Sequence, residues 1–151
     1  MEASNILDIN SRKELYTWFA QNHDKVREFW IRVNRSSKPE SGVIGYVDAV
    51  EVALCFGWID STLKHIDSDK PVQRFSPRRK GSNWCQRNID RCKRLIEQDE
   101  MTEYGLAAIP DGIFYLPKVL PVLKSTIDAL SLLQSQVGDF SVIPCTDINM
   151  I

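Results

Sequence analysis

The sequence predicts an α+β fold, in which a small, mostly antiparallel sheet packs against helices and the C-terminal half is helical. Segments rich in β-branched and aromatic residues fall in the first half of the chain, whereas segments with helical spacing dominate the second half. The length of 151 residues is typical of one domain, and 43% hydrophobic with 26% charged residues is typical of a globular chain. We therefore predict a single domain over residues 1–137 and a frayed tail over residues 138–151.

The first elements are predicted from a capping signal and from strand composition. Ser11 and Glu14 have the spacing of a capping box, which predicts a helix over about residues 12–22. Residues 26–33 read VREFWIRV, a composition that favours a strand. Residues 34–45 are dense in Ser, Pro and Gly and are predicted to form a loop.

A helix and a hairpin are predicted next. Residues 46–56 have helical character, and Gly57 stands where a helix end favours a left-handed residue. Residues 58–66 and 72–75 have strand composition and flank a turn at 67–70. We expect these two strands to pair with each other.

The second half is predicted to be helical. Ser82 can cap a long helix over about residues 83–98, and residues 101–109 predict a short helix that ends before Pro110. Residues 116–136 predict a further helix, since a proline in its first turn is tolerated.

Several classes of protein are disfavoured by composition. The polar first 22 residues contain no apolar signal segment, so we expect a cytoplasmic protein. The most apolar stretch, residues 113–137, is interrupted by prolines and charges, and we predict no transmembrane segment. The four cysteines lack the paired spacing of a zinc site, and we predict neither a metal nor a cofactor. Cys55 has apolar neighbours and is predicted to be buried and inert.

Charge is distributed unevenly along the chain. Residues 74–94 hold eight basic side chains and one acidic one, a net charge of +7, so the remainder carries −8. The basic residues are Arg74, Arg78, Arg79, Lys80, Arg87, Arg91, Lys93 and Arg94. A nearly neutral total of −1 therefore conceals a strongly basic patch.

Helical spacing sorts this basic segment into two faces. A stripe predicted to face the core is formed by Cys85, Ile89, Cys92 and Ile96. A separate basic ridge is formed by Arg87, Arg91 and Arg94, and Trp84, Asn88 and Leu95 are predicted to lie beside it.

The start of this predicted helix is a candidate anion site. Free backbone amides and the positive end of the helix dipole would lie directly after Arg78, Arg79 and Lys80. The indole of Trp84 could stack on a base or another planar group. The alternative is an ordinary solvated face, partly neutralised by the acidic residues that follow between 97 and 103.

Asp60 is the second candidate, because it lies on a strand beside the one that carries Arg74. A structural ion pair of Asp60 with Arg74 or Arg78 is favoured over a general base, since no nucleophile or second acid is evident nearby. We assign no catalytic residues. The predicted ligand-binding residues are Asp60, Arg74, Arg78, Arg79, Trp84, Arg87, Asn88 and Arg91.

These segments resemble the YdeI/OmdA family, whose members are labelled bacteriocin-protection or OmpD-associated proteins. The resemblance extends over about residues 11–110. It is carried by residues 53–60 (ALCFGWID), 73–79 (QRFSPRR) and 82–85 (SNWC), by Asn88, and by Met101-Thr102 and Gly105-Leu106.

The resemblance implies a bacterial, YjbR/CyaY-like α+β domain linked to envelope stress and to tolerance of cationic antimicrobial peptides. It implies no established catalytic residues. The chain departs from the family pattern at Cys85, where the family usually has Ser. It also lacks the arginine-rich helix that commonly follows the predicted helix at 116–136. That departure would leave apolar surface exposed and favours a homodimer.

Three functions remain open at this point. The first is a non-enzymatic module that binds an anionic ligand, with nucleic acid or a phosphorylated metabolite as candidates. The second is a protein–protein adaptor in an envelope-stress response, whose partner would contact Trp58 or the apolar C-terminal helix. The third is an enzyme that uses Asp60, Arg74 and Asn88.

Overall fold

A computed structural model of the chain describes residue 3 and residues 5–66 and 71–113. The first helix, α1 (Arg12–Asn22), has the predicted bounds. The hydroxyl of Ser11 accepts a hydrogen bond from the amide of Glu14 at 3.2 Å. The carboxylate of Glu14 accepts in return from the amide of Asn10 at 2.9 Å. In the usual capping box this donor is the amide of the N-cap residue itself, which here is Ser11.

The sheet is built around the strand β2 (Phe29–Asn34). The hairpin of β4 (Trp58–Lys64) and β5 (Val72–Pro77) is antiparallel, as predicted, and β5 also pairs antiparallel with β2. Two strands of two residues each, β1 (Ile6–Leu7) and β3 (Ile44–Gly45), pair parallel with β2. The sheet is therefore mixed, and its longer strands are antiparallel.

The described residues also form the helices α2 (Tyr46–Cys55), α3 (Gln86–Glu97) and α4 (Glu103–Ala108). Gly57 has φ of +76° and ends α2 as predicted, because only glycine adopts this backbone conformation without strain. Thr102 caps α4 by accepting from the amide of Gly105 at 3.3 Å. The turn predicted at 67–70, the helix at 116–136 and the tail at 138–151 lie outside the described residues.

The predicted start of α3 was wrong by three residues. Cys85 is the N-cap and has an extended backbone, with φ of −94° and ψ of 155°. Ser82 does not cap the helix, because its hydroxyl accepts from Nη1 of Arg78 at 3.3 Å and the carbonyl of Asn83 accepts from the same nitrogen at 3.2 Å. These two bonds hold the segment before Cys85 out of the helix.

The core lies between the helices and one face of the sheet. Aromatic rings form its centre, with Phe19 stacked on Phe56 and Phe29 stacked on Phe75 at centroid separations of 5.2 and 5.3 Å. Trp58 is 2% exposed and contacts Phe19 edge-on. The face of α3 that packs on the core differs from the predicted one. Leu95, predicted to lie beside the basic ridge, is fully buried, whereas Cys85 and Ile96, predicted to face the core, are only half-buried.

One buried carboxylate joins three helices on this side of the sheet. Glu51 of α2 is 7% exposed and forms ion pairs with Arg12 of α1, at 2.9 Å, and with Arg94 of α3. Arg12 also pairs with Glu100 in the loop after α3. Because charge buried without a partner is costly, these contacts fix the relative positions of α1, α2 and α3.

Candidate guanidinium site

Two arginines of the basic segment are neutralised by the protein's own carboxylates. Arg74 forms an ion pair with Glu28, and Arg94 pairs with Glu51. Arg74 also lies on the opposite face of the sheet from Asp60. The register pairs Arg74 with Trp30 and pairs Asp60 with the core residue Phe75, and neighbouring residues of a strand point to opposite faces. The predicted grouping of Arg74 with Asp60 is therefore wrong.

Arg78 lies at the end of the hairpin and packs on Trp84. Its guanidinium carbon is 3.8 Å from the centroid of the indole ring. Trp84 is 6% exposed and belongs to the core, so the predicted stacking platform is already covered by Arg78. Nε of Arg78 is buried without a hydrogen-bond partner among the described residues, whereas Nη1 donates to Ser82 and Asn83.

Arg91 lies in the middle of α3 and is half-buried. Its Nη1 donates to Oδ1 of Asn88, one turn earlier, at 2.9 Å. This contact orients the amide of Asn88 so that its oxygen faces Arg91 and its nitrogen remains a donor. The geometry confirms that Asn88 and Arg91 lie together on α3.

Asp60 is bound to a tyrosine instead of an arginine. Its Oδ2 accepts from the hydroxyl of Tyr46, the first residue of α2, at 2.7 Å. Arg35 stacks on the ring of Tyr46, with its guanidinium carbon 4.0 Å from the ring centroid. In the described part of the chain Asp60 has no ion pair within 4.0 Å, so the predicted pairing with Arg74 or Arg78 is wrong.

The charge of Asp60 nevertheless acts on both half-buried arginines. Burial lowers the pKa of Arg78 to about 10, and the charge of Asp60 partly opposes this effect. Burial also lowers the pKa of Arg91, again opposed by Asp60. Burial raises the pKa of Tyr46, and the neighbouring Asp60 raises it further, so Tyr46 remains a hydrogen-bond donor at neutral pH.

We call this group the guanidinium site and define it as Tyr46, Asp60, Arg78, Asn88 and Arg91. Among the described residues, no carboxylate lies within 4.0 Å of Arg78 or Arg91. Nη2 of Arg78 and both Nε and Nη2 of Arg91 have no acceptor in the same part of the chain. The site therefore offers several unused donors on two partly desolvated cations.

The other predicted site residues lie away from this group or at the surface. Arg79 is exposed in the turn after β5, and Arg87 is exposed on α3. Because α3 begins at Gln86, the run of Arg78, Arg79 and Lys80 does not directly precede its free amides as predicted. The candidate site accordingly lies between the hairpin end and the middle of α3, and not at the predicted helix start.

Sequence reasoning missed Tyr46 and Arg35. Tyr46 was assigned only to a helix, and its contact with Asp60 depends on how α2 packs beside β4. The only local signal was a polar aromatic side chain at a helix start, directly after Gly45. That signal does not specify a partner 14 residues away.

Within the described residues, no cluster of His, Cys, Asp or Glu side chains could hold a metal ion. No helix in the same part of the chain is long and apolar enough to span a bilayer.

The described elements define an α+β protein whose mixed sheet carries the guanidinium site on its helix-covered side. The chain belongs to the family described as "Domain of unknown function (DUF8412)", whose model matches residues 7–108. That range contains every residue of the guanidinium site. No curated protein and no solved structure matches the chain. The family match makes no connection to the YdeI/OmdA family, so that resemblance stays a prediction.

Proposed function

We propose that this protein is a non-enzymatic module that binds an anion, with phosphate as the recognised chemical group, at the guanidinium site. The observation that carries the proposal is the state of Arg78 and Arg91. Both are half-buried, and neither has a carboxylate within 4.0 Å among the described residues.

The physical argument starts from desolvation. Removing a cation from water costs free energy, and the lowered pKa values of Arg78 and Arg91 express that cost. Arginine nevertheless remains protonated at neutral pH. A bound anion would offset the cost by supplying the missing counter-charge. Guanidinium groups suit phosphate in particular, because their planar donors match its oxygens.

A small anion is favoured over nucleic acid. Two of the basic side chains, Arg74 and Arg94, are held by Glu28 and Glu51, and Arg94 belongs to the predicted ridge. Nucleic acid requires several unneutralised cations along its phosphate backbone. The indole of Trp84, predicted to stack on a base, is already covered by Arg78. We therefore place a phosphorylated small molecule first and keep nucleic acid as an outcome of the test.

The biological setting rests on the YdeI/OmdA resemblance alone. On that basis we propose a cytoplasmic role in tolerance of envelope stress or antimicrobial peptides. The enzyme alternative loses support because Asp60 and Arg74 lie on opposite faces of the sheet. The adaptor alternative loses one of its predicted contacts because Trp58 is 2% exposed.

The test is a titration of the full chain with inorganic phosphate, followed by backbone amide shifts and by calorimetry. We expect shifts at residues 78, 84, 88 and 91. Arg78→Met and Arg91→Met should each weaken phosphate binding at least about tenfold, because each removes one of two charged donors. Arg79→Met removes an exposed neighbouring cation and is the matched control, which should bind as the wild type does.

Two results would contradict the proposal. The first is the absence of phosphate binding together with a lower stability of Arg78→Met, which would assign Arg78 a structural role on Trp84. The second is tight, salt-dependent binding of a short single-stranded oligonucleotide that weakens equally in Arg78→Met and Arg79→Met. That result would indicate a diffuse nucleic-acid surface.

A further inference from the structure

The guanidinium site contains a carboxylate that simple anion binding does not explain. Asp60 lies two residues after Trp58, whose register partner Pro77 directly precedes Arg78. Its negative charge acts on both Arg78 and Arg91. A carboxylate beside an anion site repels the ligand and lowers affinity for a bare anion. A site built only for a phosphate group that has no proton to donate would gain nothing from it.

The position of this carboxylate is set by Tyr46. The tyrosine hydroxyl donates to Oδ2 of Asp60 at 2.7 Å, and the ring of Tyr46 is held by the guanidinium of Arg35. One oxygen of Asp60 is thus used by the protein. Its second oxygen, Oδ1, has no donor among the described residues. Since an ionised carboxylate only accepts hydrogen bonds, a ligand at Oδ1 must donate one.

We propose that the ligand of the guanidinium site carries a hydroxyl group as well as a phosphate, and that Asp60 accepts a hydrogen bond from this hydroxyl. The class of ligand is a hydroxylated phosphate monoester, such as a sugar phosphate. The inference rests on the proposed function, because it adds a second recognition element to the same anion site.

The arrangement provides selectivity by both attraction and repulsion. Arg78 and Arg91 attract any phosphate, whereas Asp60 penalises phosphates that bring no donor to it. A hydroxyl at Oδ1 replaces the water that the carboxylate loses on binding, so a hydroxylated ligand avoids that penalty. The amide nitrogen of Asn88, which has no acceptor in the described part of the chain, is a further donor for the phosphate or for a second hydroxyl oxygen.

The experiment compares two phosphate monoesters of equal carbon number by calorimetry with the full chain. Glycerol 1-phosphate carries two hydroxyl groups, and n-propyl phosphate carries none. We expect glycerol 1-phosphate to bind at least about tenfold more tightly than n-propyl phosphate to the wild type.

Asp60→Asn should remove most of this difference. Asparagine preserves an acceptor for Tyr46 but removes the negative charge, so n-propyl phosphate should bind more tightly and glycerol 1-phosphate should lose its advantage. Asp90→Asn is the matched control, since Asp90 is exposed on α3 and bonded to Gln86, and it should keep the wild-type preference. If Asp60→Asn does not fold, the comparison of the two esters on the wild type still decides the hydroxyl requirement.

The outcomes separate the two proposals. Equal affinity of the wild type for both esters, with binding lost in Arg78→Met, would overturn the hydroxyl requirement and leave the anion site standing. A preference for glycerol 1-phosphate that persists unchanged in Asp60→Asn would overturn the role of Asp60. Failure of inorganic phosphate and both esters to bind would overturn the anion site itself.

Discussion

Arg74 donates hydrogen bonds from both Nε and Nη2 to a single oxygen of Glu28, the former at 3.0 Å. The two residues are 46 positions apart in sequence and meet because β5 pairs with β2. The hydrogen bond from Arg74 lowers the pKa of Glu28 below its usual value of 4.5. This ion pair is what removes Arg74 from the basic surface that the sequence predicted.

The Glu28–Arg74 pair predicts a dependence of stability on pH. Because the folded-state pKa of Glu28 is depressed, its stabilising contribution is fully present above the unfolded-state value of about 4.5. It is lost as the pH falls through the lower, folded-state pKa. Urea denaturation between pH 3 and 7 should therefore show a shallower loss of stability in Glu28→Gln than in the wild type. Glu97→Gln, another surface carboxylate, should follow the wild-type curve, and identical curves for all three proteins would refute the prediction.

The hydrogen bond between Tyr46 and Asp60 predicts an energetic coupling. Tyr46→Phe removes the hydroxyl but keeps the ring on which Arg35 stacks. We expect a loss of about 1–2 kcal/mol in the free energy of unfolding, because a charged acceptor loses its donor. A double-mutant cycle with Asp60→Ala, which removes the acceptor, should give a coupling of about 1 kcal/mol or more. Additive effects of the two substitutions would show that the bond contributes nothing to stability.

At Gly105, replacement of a helical glycine by alanine is expected to lower stability instead of raising it. A Cβ at this position would lie under 3.0 Å from the carbonyl oxygen of Cys55 and from the sulfur of Met101. Replacing a helical glycine by alanine ordinarily stabilises by about 1 kcal/mol. Here the close approach of α4 to the end of α2 should reverse the sign, and we expect Gly105→Ala to cost about 2 kcal/mol or more.

The control for this test lies in the same helix. Ala107 is exposed, so Ala107→Gly should cost the ordinary amount of about 1 kcal/mol. Chemical denaturation of both variants measures the difference. A Gly105→Ala protein as stable as the wild type would mean that the two helices can separate without cost.

The buried thiols of Cys55 and Cys92 are expected to be protected from alkylation in the folded protein. Burial raises the pKa of Cys55 to about 12 and that of Cys92 to about 12. Since the thiolate is the reactive form, neither should be alkylated by iodoacetamide in the native protein at pH 8. Peptide mapping by mass spectrometry should find both modified only after denaturation. Rapid labelling of Cys55 in the native state would contradict its place in the core.

The parts of the fold that could be predicted are those with local signals. Ser11 with Glu14 gave the start of α1, and Gly57 gave the end of α2, because capping and a left-handed residue depend on near neighbours. The strands β1 and β3 were missed because two residues carry no periodicity. The start of α3 was misplaced because Ser82 is engaged by Arg78, a contact that only the folded hairpin creates.

Part of the candidate site could also be predicted, because some of its residues belong to a pattern that is visible in the sequence. Arg78, Asn88 and Arg91 were found because a concentration of basic residues is visible in the sequence. Which arginines remain without a carboxylate depends on contacts across more than 40 residues, such as the one between Arg94 and Glu51. The role of Tyr46 beside Asp60 likewise follows from the packing of α2, which no local pattern encodes.

The shared carboxylate of Glu51 has a consequence for how the molecule opens. If α1 or α3 detached alone, the buried carboxylate of Glu51 would lose one of its two arginine partners, Arg12 or Arg94. Partial opening of this region is therefore penalised, and the three helices should exchange their slowest amide protons together as one cooperative unit.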